Sequence, residues 1–198
     1  MRRDALPIRF EGNRLARAVL SVAGWHVNFH GLPARQGVLI AYPHTSNWDF
    51  VVGMVAKTAG GLPFSFWGKD TLFKVPGFGR WLRWIGGIPV ERSAARNQVD
   101  AMVRRFEQAR ERDEVLWLAL SPEGTRGWQP RWRSGFYHLA LKAGVPLGIA
   151  RLDWARREVD VQAFLTLSGN LPHDRAAIAR ALAGVQGKHA AHAAPIEF

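Results

Sequence analysis

A histidine and an aspartate five positions apart, His44 and Asp49, stand just past one apolar run, and Glu123-Gly124-Thr125-Arg126 stands just past another. An imidazole can take a proton from a hydroxyl, and a nearby carboxylate fixes its tautomer and stabilises the imidazolium that forms. Five positions amount to about 500° of helical rotation, so the two cannot share a helical face. With His44 in a loop and Asp49 in the first helical turn, the carboxylate can still reach back to the ring, which makes His44 the candidate base. In the second cluster Gly124 lets the backbone approach a ligand closely, Thr125 offers a hydroxyl, and Arg126 offers a planar cationic fork suited to phosphate. The pair alone carries little weight, because about 0.3 such pairs arise by chance in a chain of this composition. The four-residue cluster arises by chance in about one chain per thousand and weighs more. Their bland readings are a locally bonded loop histidine, an acid at a helix N-terminus, and a turn with a surface arginine.

The elements that must hold these residues follow from apolar patterning. Residues 37–42 form a short apolar run closed by Pro43, the pattern of a buried strand ending in a loop. Ser46 or Asn47 can cap a helix reaching about Lys57, with Gly60-Gly61 as its stop. Residues 64–67 read as a second strand and 88–91 as a third. Between them 78–85 form a short helix with Trp81, Trp84 and Ile85 on one side and Arg80 and Arg83 on the other, a basic aromatic surface. Val99, Met102, Val103 and Phe106 mark a long helix ending near Asp113. Residues 115–120 are the clearest buried strand and run straight into the Glu123 cluster. A helix around 136–142 leads to a strand at 145–150, and alternation from Val159 to Leu165 gives another. Strands alternating with helices predict an α/β class: one domain, a mostly parallel sheet flanked by helices, and an N-terminal amphipathic helix. In such sheets functional loops gather at the carboxyl ends of strands, where His44, Asp49, Glu91, Arg92 and the Glu123 cluster all fall.

Composition bounds the chemistry. At 198 residues the chain fits one domain with a core large enough to fold without staples. It has no cysteine, which excludes a thiol nucleophile, a disulfide framework and thiolate metal sites, and no metal is expected. A net charge of +11 favours anionic partners: nucleic acid, a phospholipid surface or a phosphorylated substrate. Nine tryptophans, several beside arginines, suit a membrane headgroup boundary as well as a crowded core. Residues 1–35 read as an amphipathic segment for a membrane interface, with Leu15, Val19, Val22, His26 and Phe29 near helical spacing. Its basic start loosely mimics a signal peptide, but the apolar core is short. Residues 36–186 form the main domain. The Ala/His-rich stretch 187–198 reads as a flexible tail, whose His189 and His192 are composition rather than metal ligands.

The two clusters, with Gly86-Gly87-Ile88-Pro89-Val90-Glu91-Arg92 between them and Ala143-Gly144-Val145-Pro146-Leu147 after, resemble the glycerolipid acyltransferase family, lysophosphatidic acid acyltransferase type. The family's His-x4-Asp box reads His44 to Asp49 here, and its Glu-Gly-Thr-Arg box reads Glu123 to Arg126. The resemblance spans residues 37–150 or so. It implies transfer of an acyl group from an acyl-CoA or acyl-carrier-protein thioester, with no bound cofactor, to a hydroxyl of a phosphorylated glycerolipid such as 1-acylglycerol-3-phosphate. The enzyme would sit peripherally on the cytoplasmic face of a membrane. It also implies roles: His44 as base, Asp49 as its orienter, Arg92 and Arg126 on an anionic group, Glu123, Gly124 and Thr125 as the loop that positions it, and Lys69 as a further cation. The chemistry agrees, since a thioester is already activated and needs a base, an oxyanion donor and orientation.

Three departures lie on the acceptor side: Gly127 where the family often has serine, Ser121 where an aromatic or aliphatic residue commonly precedes the proline, and Ser134 where a basic residue often stands. They keep a different lipid acceptor open, for example a lyso-ornithine lipid. Two other readings compete: a non-catalytic lipid-binding homologue, and a nucleic-acid-binding module using arginines and stacking tryptophans. The latter is disfavoured because arginines are spread along the whole chain without a basic tail or recognition motif.

Overall fold

The computed structural model describes residues 7–90 and 95–198, and the side chains of all of these except 95–97. Helix α1 (Arg14–Val22) leads to β1 (His26–Phe29) and β2 (Gln36–Tyr42), then α2 (Asn47–Gly60), β3 (Phe64–Lys69), α3 (Asp70–Phe73), α4 (Phe78–Trp84) and β4 (Gly87–Val90). The chain continues through α5 (Ala95–Glu111), β5 (Leu116–Leu120), α6 (Gly135–Ala143), β6 (Leu147–Asp153), β7 (Glu158–Leu165) and α7 (Leu171–Ala181). The strands make one seven-stranded sheet in the order β1-β7-β6-β2-β5-β3-β4. Every neighbouring pair is parallel except β6 and β7.

The alternation of side chains along each strand divides the core into two layers. Val38, Ile40, Leu118, Leu147 and Ile149 point to one face and pack with Phe106 of α5, Phe136 and Leu139 of α6 and Ile178 of α7. Leu39, Trp117, Ala150 and Leu152 point to the other and pack with Leu20 of α1 and with Val52, Ala56 and Ala59 of α2. Both faces of the central strands are covered, which is why 37–42 and 115–120 read as unbroken apolar runs.

The predicted strands and helices of 36–186 are present, and three features differ from expectation. The N-terminal amphipathic helix stops at Val22, and His26 and Phe29, predicted on its apolar face, instead belong to β1, which pairs with β7. Trp25 is 7% exposed, so burial of its indole turns the chain into the sheet and makes residues 26–29 part of the domain rather than an appendage. Leu15, Val19 and Val22 do form one exposed apolar face of α1. The segment 187–198, expected to be flexible, packs on the domain: Trp132 N–H donates to the Glu197 carbonyl at 2.6 Å, Phe198 stacks on Trp132, and Ala194 is fully buried. Low-complexity composition hid it because most of its fixed points are backbone groups and small residues, with Phe198 as the one aromatic anchor. Helix α7 was not predicted; Asn170 caps it and its buried Asp174 accepts hydrogen bonds from Tyr137, Ser168 and Gly169. Among the described residues no helix is long and apolar enough to cross a membrane.

Candidate active site

Because β2, β3, β4, β5 and β6 run the same way, their carboxyl ends share one edge of the sheet. Register fixes the levels. Ile40 pairs with Leu120, so Pro43 and Glu123 stand level, and Tyr42 pairs with Arg151, so Thr45 and Trp154 do. The first cluster and the second, 79 positions apart in the chain, are thereby neighbours.

Ser46 caps α2 through its hydroxyl, and Asp49, at the third helical position, closes the capping box by accepting from the Ser46 N–H. This local device is what turns the aspartate back toward the loop. Its Oδ2 accepts from Thr45 N–H at 2.6 Å and Ser46 N–H at 2.7 Å and lies 3.5 Å from His44 Nδ1. Its Oδ1 accepts from Trp154 Nε1 at 2.7 Å. Burial alone would raise the Asp49 carboxyl, yet the hydrogen bonds from His44, Ser46 and Trp154 outweigh it and hold the pKa below the ordinary aspartate value. The carboxylate is therefore ionised, buried and fixed. The His44 ring, 23% exposed, has Nδ1 toward Asp49, which leaves Nε2 as the nitrogen available to an incoming hydroxyl.

Glu123 is 1% exposed and engages both loops through its carboxylate rather than facing solvent. One oxygen accepts from His44 N–H at 2.5 Å and the other from Ala194 N–H at 3.0 Å. Desolvation raises its pKa, partly offset by those two backbone donors. Its contribution is to pin the backbone of His44 to the end of β5 and to the C-terminal segment. That segment also reaches the site directly: His189 N–H donates to Thr45 Oγ1 at 3.2 Å. Lys188 Nζ lies 5.2 Å from the ring centre of Trp48 and 4.8 Å from that of Trp154, a cation held between two indoles.

Gly124 has φ +67°, and a Cβ there would stand 2.6 Å from Arg133 Nε, so both backbone conformation and the arginine lying across it require glycine. Thr125 is half-buried and Arg126 is exposed on the same loop. Arg133, whose N–H donates to the Pro122 carbonyl at 2.8 Å, adds a second guanidinium beside this loop that sequence reading did not single out. Lys69 is exposed at the end of β3; two strands from β2, it stands about 10 Å from the His44 loop by strand spacing. Arg92 lies outside the described residues.

Trp154 is the main addition. It follows a strand end, as His44 and Glu123 do, and that position was the one signal available in the sequence. Its indole packs edge-on against Trp25 at 4.9 Å and aims its N–H at Asp49. Trp154→Phe keeps most of the ring packing and deletes the donor. The expected result is a kcat lowered about tenfold with little change in acceptor KM, from the loss of one charge-assisted hydrogen bond. Loss of the near-ultraviolet dichroism of the Trp25 ring together with a raised acceptor KM would instead indicate a packing role.

Comparison with known proteins bears on this geometry. A family profile described as Acyltransferase matches residues 26–148, more than half of the chain. A relative named 1-acyl-sn-glycerol-3-phosphate acyltransferase BAT2, chloroplastic, from Brassica napus, is 28% identical over 107 residues, covering 52% of this chain and 30% of its own. The Arabidopsis thaliana protein named 1-acyl-sn-glycerol-3-phosphate acyltransferase LPAT1, chloroplastic, is 27% identical over 124 residues, covering 61% and 34%. The chain thus spans about a third of the length of these relatives. Among solved structures, the 1-acyl-sn-glycerophosphate acyltransferase PlsC from Thermotoga maritima superposes with a TM-score of 0.54 at 16% identity, over 84% of this chain and 74% of that one, a likeness of fold.

Proposed function

The chain belongs to the Acyltransferase family, and on that premise we propose that it moves a fatty acyl group from an acyl-CoA or acyl-carrier-protein thioester to the hydroxyl of a phosphorylated glycerolipid such as 1-acylglycerol-3-phosphate. One observation carries the mechanism: a buried, ionised carboxylate fixed by three N–H donors faces Nδ1 of a partly exposed histidine. His44 Nε2 takes the proton of the acceptor hydroxyl as its oxygen attacks the thioester carbonyl carbon. Asp49 stabilises the imidazolium. A carbon–oxygen bond forms, the tetrahedral intermediate collapses, the carbon–sulfur bond breaks, and the thiolate leaves with the proton returned by His44. The products are an ester and a thiol.

Arg126, with Thr125 beside it, is the group proposed to hold the acceptor's anionic end; Arg92 and Lys69 are assigned the same task with the support of family resemblance alone. Arg126→Ala is expected to raise the acceptor KM about tenfold or more while leaving kcat and donor saturation nearly unchanged, because a phosphate–guanidinium fork is a binding contact. Acceptor titration at fixed donor checks this, and an unmoved KM would remove the phosphate role. Gly127, Ser121 and Ser134 favour testing a second acceptor class, a lyso-ornithine lipid, in the same assay. The reaction is proposed to run at the cytoplasmic face of a membrane, with the domain bound peripherally. Mass spectrometry of lipids from cells expressing the intact chain or His44→Ala tests the whole reading: an acylated phospholipid that accumulates only with His44 supports it, and identical profiles overturn it.

A further inference from the structure

Besides the exposed apolar face of α1, the described surface carries a larger, aromatic patch. On α3, α4 and the turn between them, Leu72, Val75, Phe78, Trp81 and Trp84 are 42%, 49%, 42%, 43% and 82% exposed. Single exposed apolar residues are ordinary, but five large ones in one short stretch mark a surface built to be covered. The stretch is firmly based. Phe73 and Leu82 are buried, Arg83 donates to the Phe73 and Gly79 carbonyls, and Lys57 Nζ of α2 donates to the Ile85 carbonyl at 2.6 Å.

At about 100° per residue, α4 divides into three sectors. Leu82 and Gly79 face the domain, Arg83 and Arg80 follow, and Trp84, Trp81 and Phe78 fill the remaining arc, with Phe78 stacked on Trp81 at 5.5 Å. From Lys69 to Trp84 the charged residues are Lys69, Lys74, Arg80 and Arg83 against the single acid Asp70, which pairs with Lys74 at 3.0 Å. Aromatic rings bordered by guanidinium groups match an anionic lipid interface: indoles settle at the headgroup level while arginines meet the phosphates.

We propose that the α3–α4 hairpin is the surface by which this domain docks on an anionic bilayer. The hairpin begins at Lys69, at the end of β3, on the same sheet edge as His44, so docking there brings the headgroup plane alongside the site. This inference rests on the functional reading above, because it names where a lipid acceptor would be met.

The test is flotation of the full chain with phosphatidylcholine vesicles, with and without phosphatidylglycerol, across salt concentration. Wild type is expected to prefer the anionic vesicles and to lose binding as salt rises. The double variant Trp81→Ala/Trp84→Ala is expected to bind about tenfold or more weakly, since both rings sit at the interface. If that variant fails to fold by circular dichroism, Trp84→Ser alone, at the most exposed ring, replaces it with an expected loss of several-fold. Arg80→Gln should weaken binding to anionic vesicles only. Vesicle binding unchanged by these substitutions would overturn the proposal. So would a self-association, or capture of acyl carrier protein, that the tryptophan variants abolish while vesicle binding persists. Acyl transfer to a water-soluble short-chain acceptor separates the two readings. Retained transfer with lost vesicle binding supports the docking surface, whereas hairpin-dependent vesicle binding with no transfer in any assay overturns the enzymatic reading and leaves the surface standing.

Discussion

His44→Ala is expected to fold as the wild type does and to lose turnover by about a thousandfold, the usual worth of a positioned general base. The fold should tolerate the change because the backbone N–H of residue 44, not its ring, carries the bond to Glu123, and the ring is partly exposed. The acyl donor remains activated without the base, so the loss falls on deprotonation of the acceptor and appears in kcat. Steady-state kinetics beside a thermal melt check both halves. A turnover within a few-fold of wild type would sink the base role and favour a non-catalytic lipid-binding protein.

Asp49→Asn should cost almost as much in turnover, about a hundredfold to a thousandfold, by removing the charge that steadies the imidazolium and by disturbing the tautomer. It should also cost about 2–3 kcal/mol of stability. Three N–H donors converge on the two Asp49 oxygens, and an amide presents its own NH2 to at least one of them, leaving a buried donor unmatched. The pH dependence has a definite sign. The folded pKa of Asp49 is depressed, so its contribution to stability is complete above the ordinary aspartate value and is lost as pH falls from there through the folded value. The melting-temperature gap between wild type and Asp49→Asn should therefore hold steady from neutral pH to mildly acid pH and close only in strong acid. Glu123 behaves oppositely. Its raised pKa means that ionising it costs the fold stability, a cost removed as pH falls through that raised value. A gap that closed at mildly acid pH would show that Asp49 is not held ionised as described.

How far the sequence reached depended on distance along the chain. The His44–Asp49 pairing was legible because a capping serine and a third-position acid are a local grammar, complete within six residues. Gly124 was read as a point of close ligand approach, whereas the structure shows a left-handed φ with Arg133 lying across it, a contact that only the fold reveals. Trp154 was not legible, since 105 positions separate it from Asp49 and only the pairing of β2 with β6 brings it level. Glu123 was placed on the correct loop, but its buried bridge between His44 and Ala194 needed two long-range contacts. Helical periodicity carried His26 and Phe29 into a helix, and competition from β7 for their backbone hydrogen bonds decided otherwise.

The order and type of the central elements, the strand ends that bear polar clusters and the approach of Asp49 to His44 follow from the amino-acid sequence, because burial pattern, capping and turn chemistry act over a few residues. Which loops meet, what holds Asp49 from behind, and how residues 187–198 close over Thr45 and Trp154 were decided by tertiary structure. Those contacts join backbone groups and single side chains far apart in the chain, by as much as 144 positions, and no local pattern encodes them.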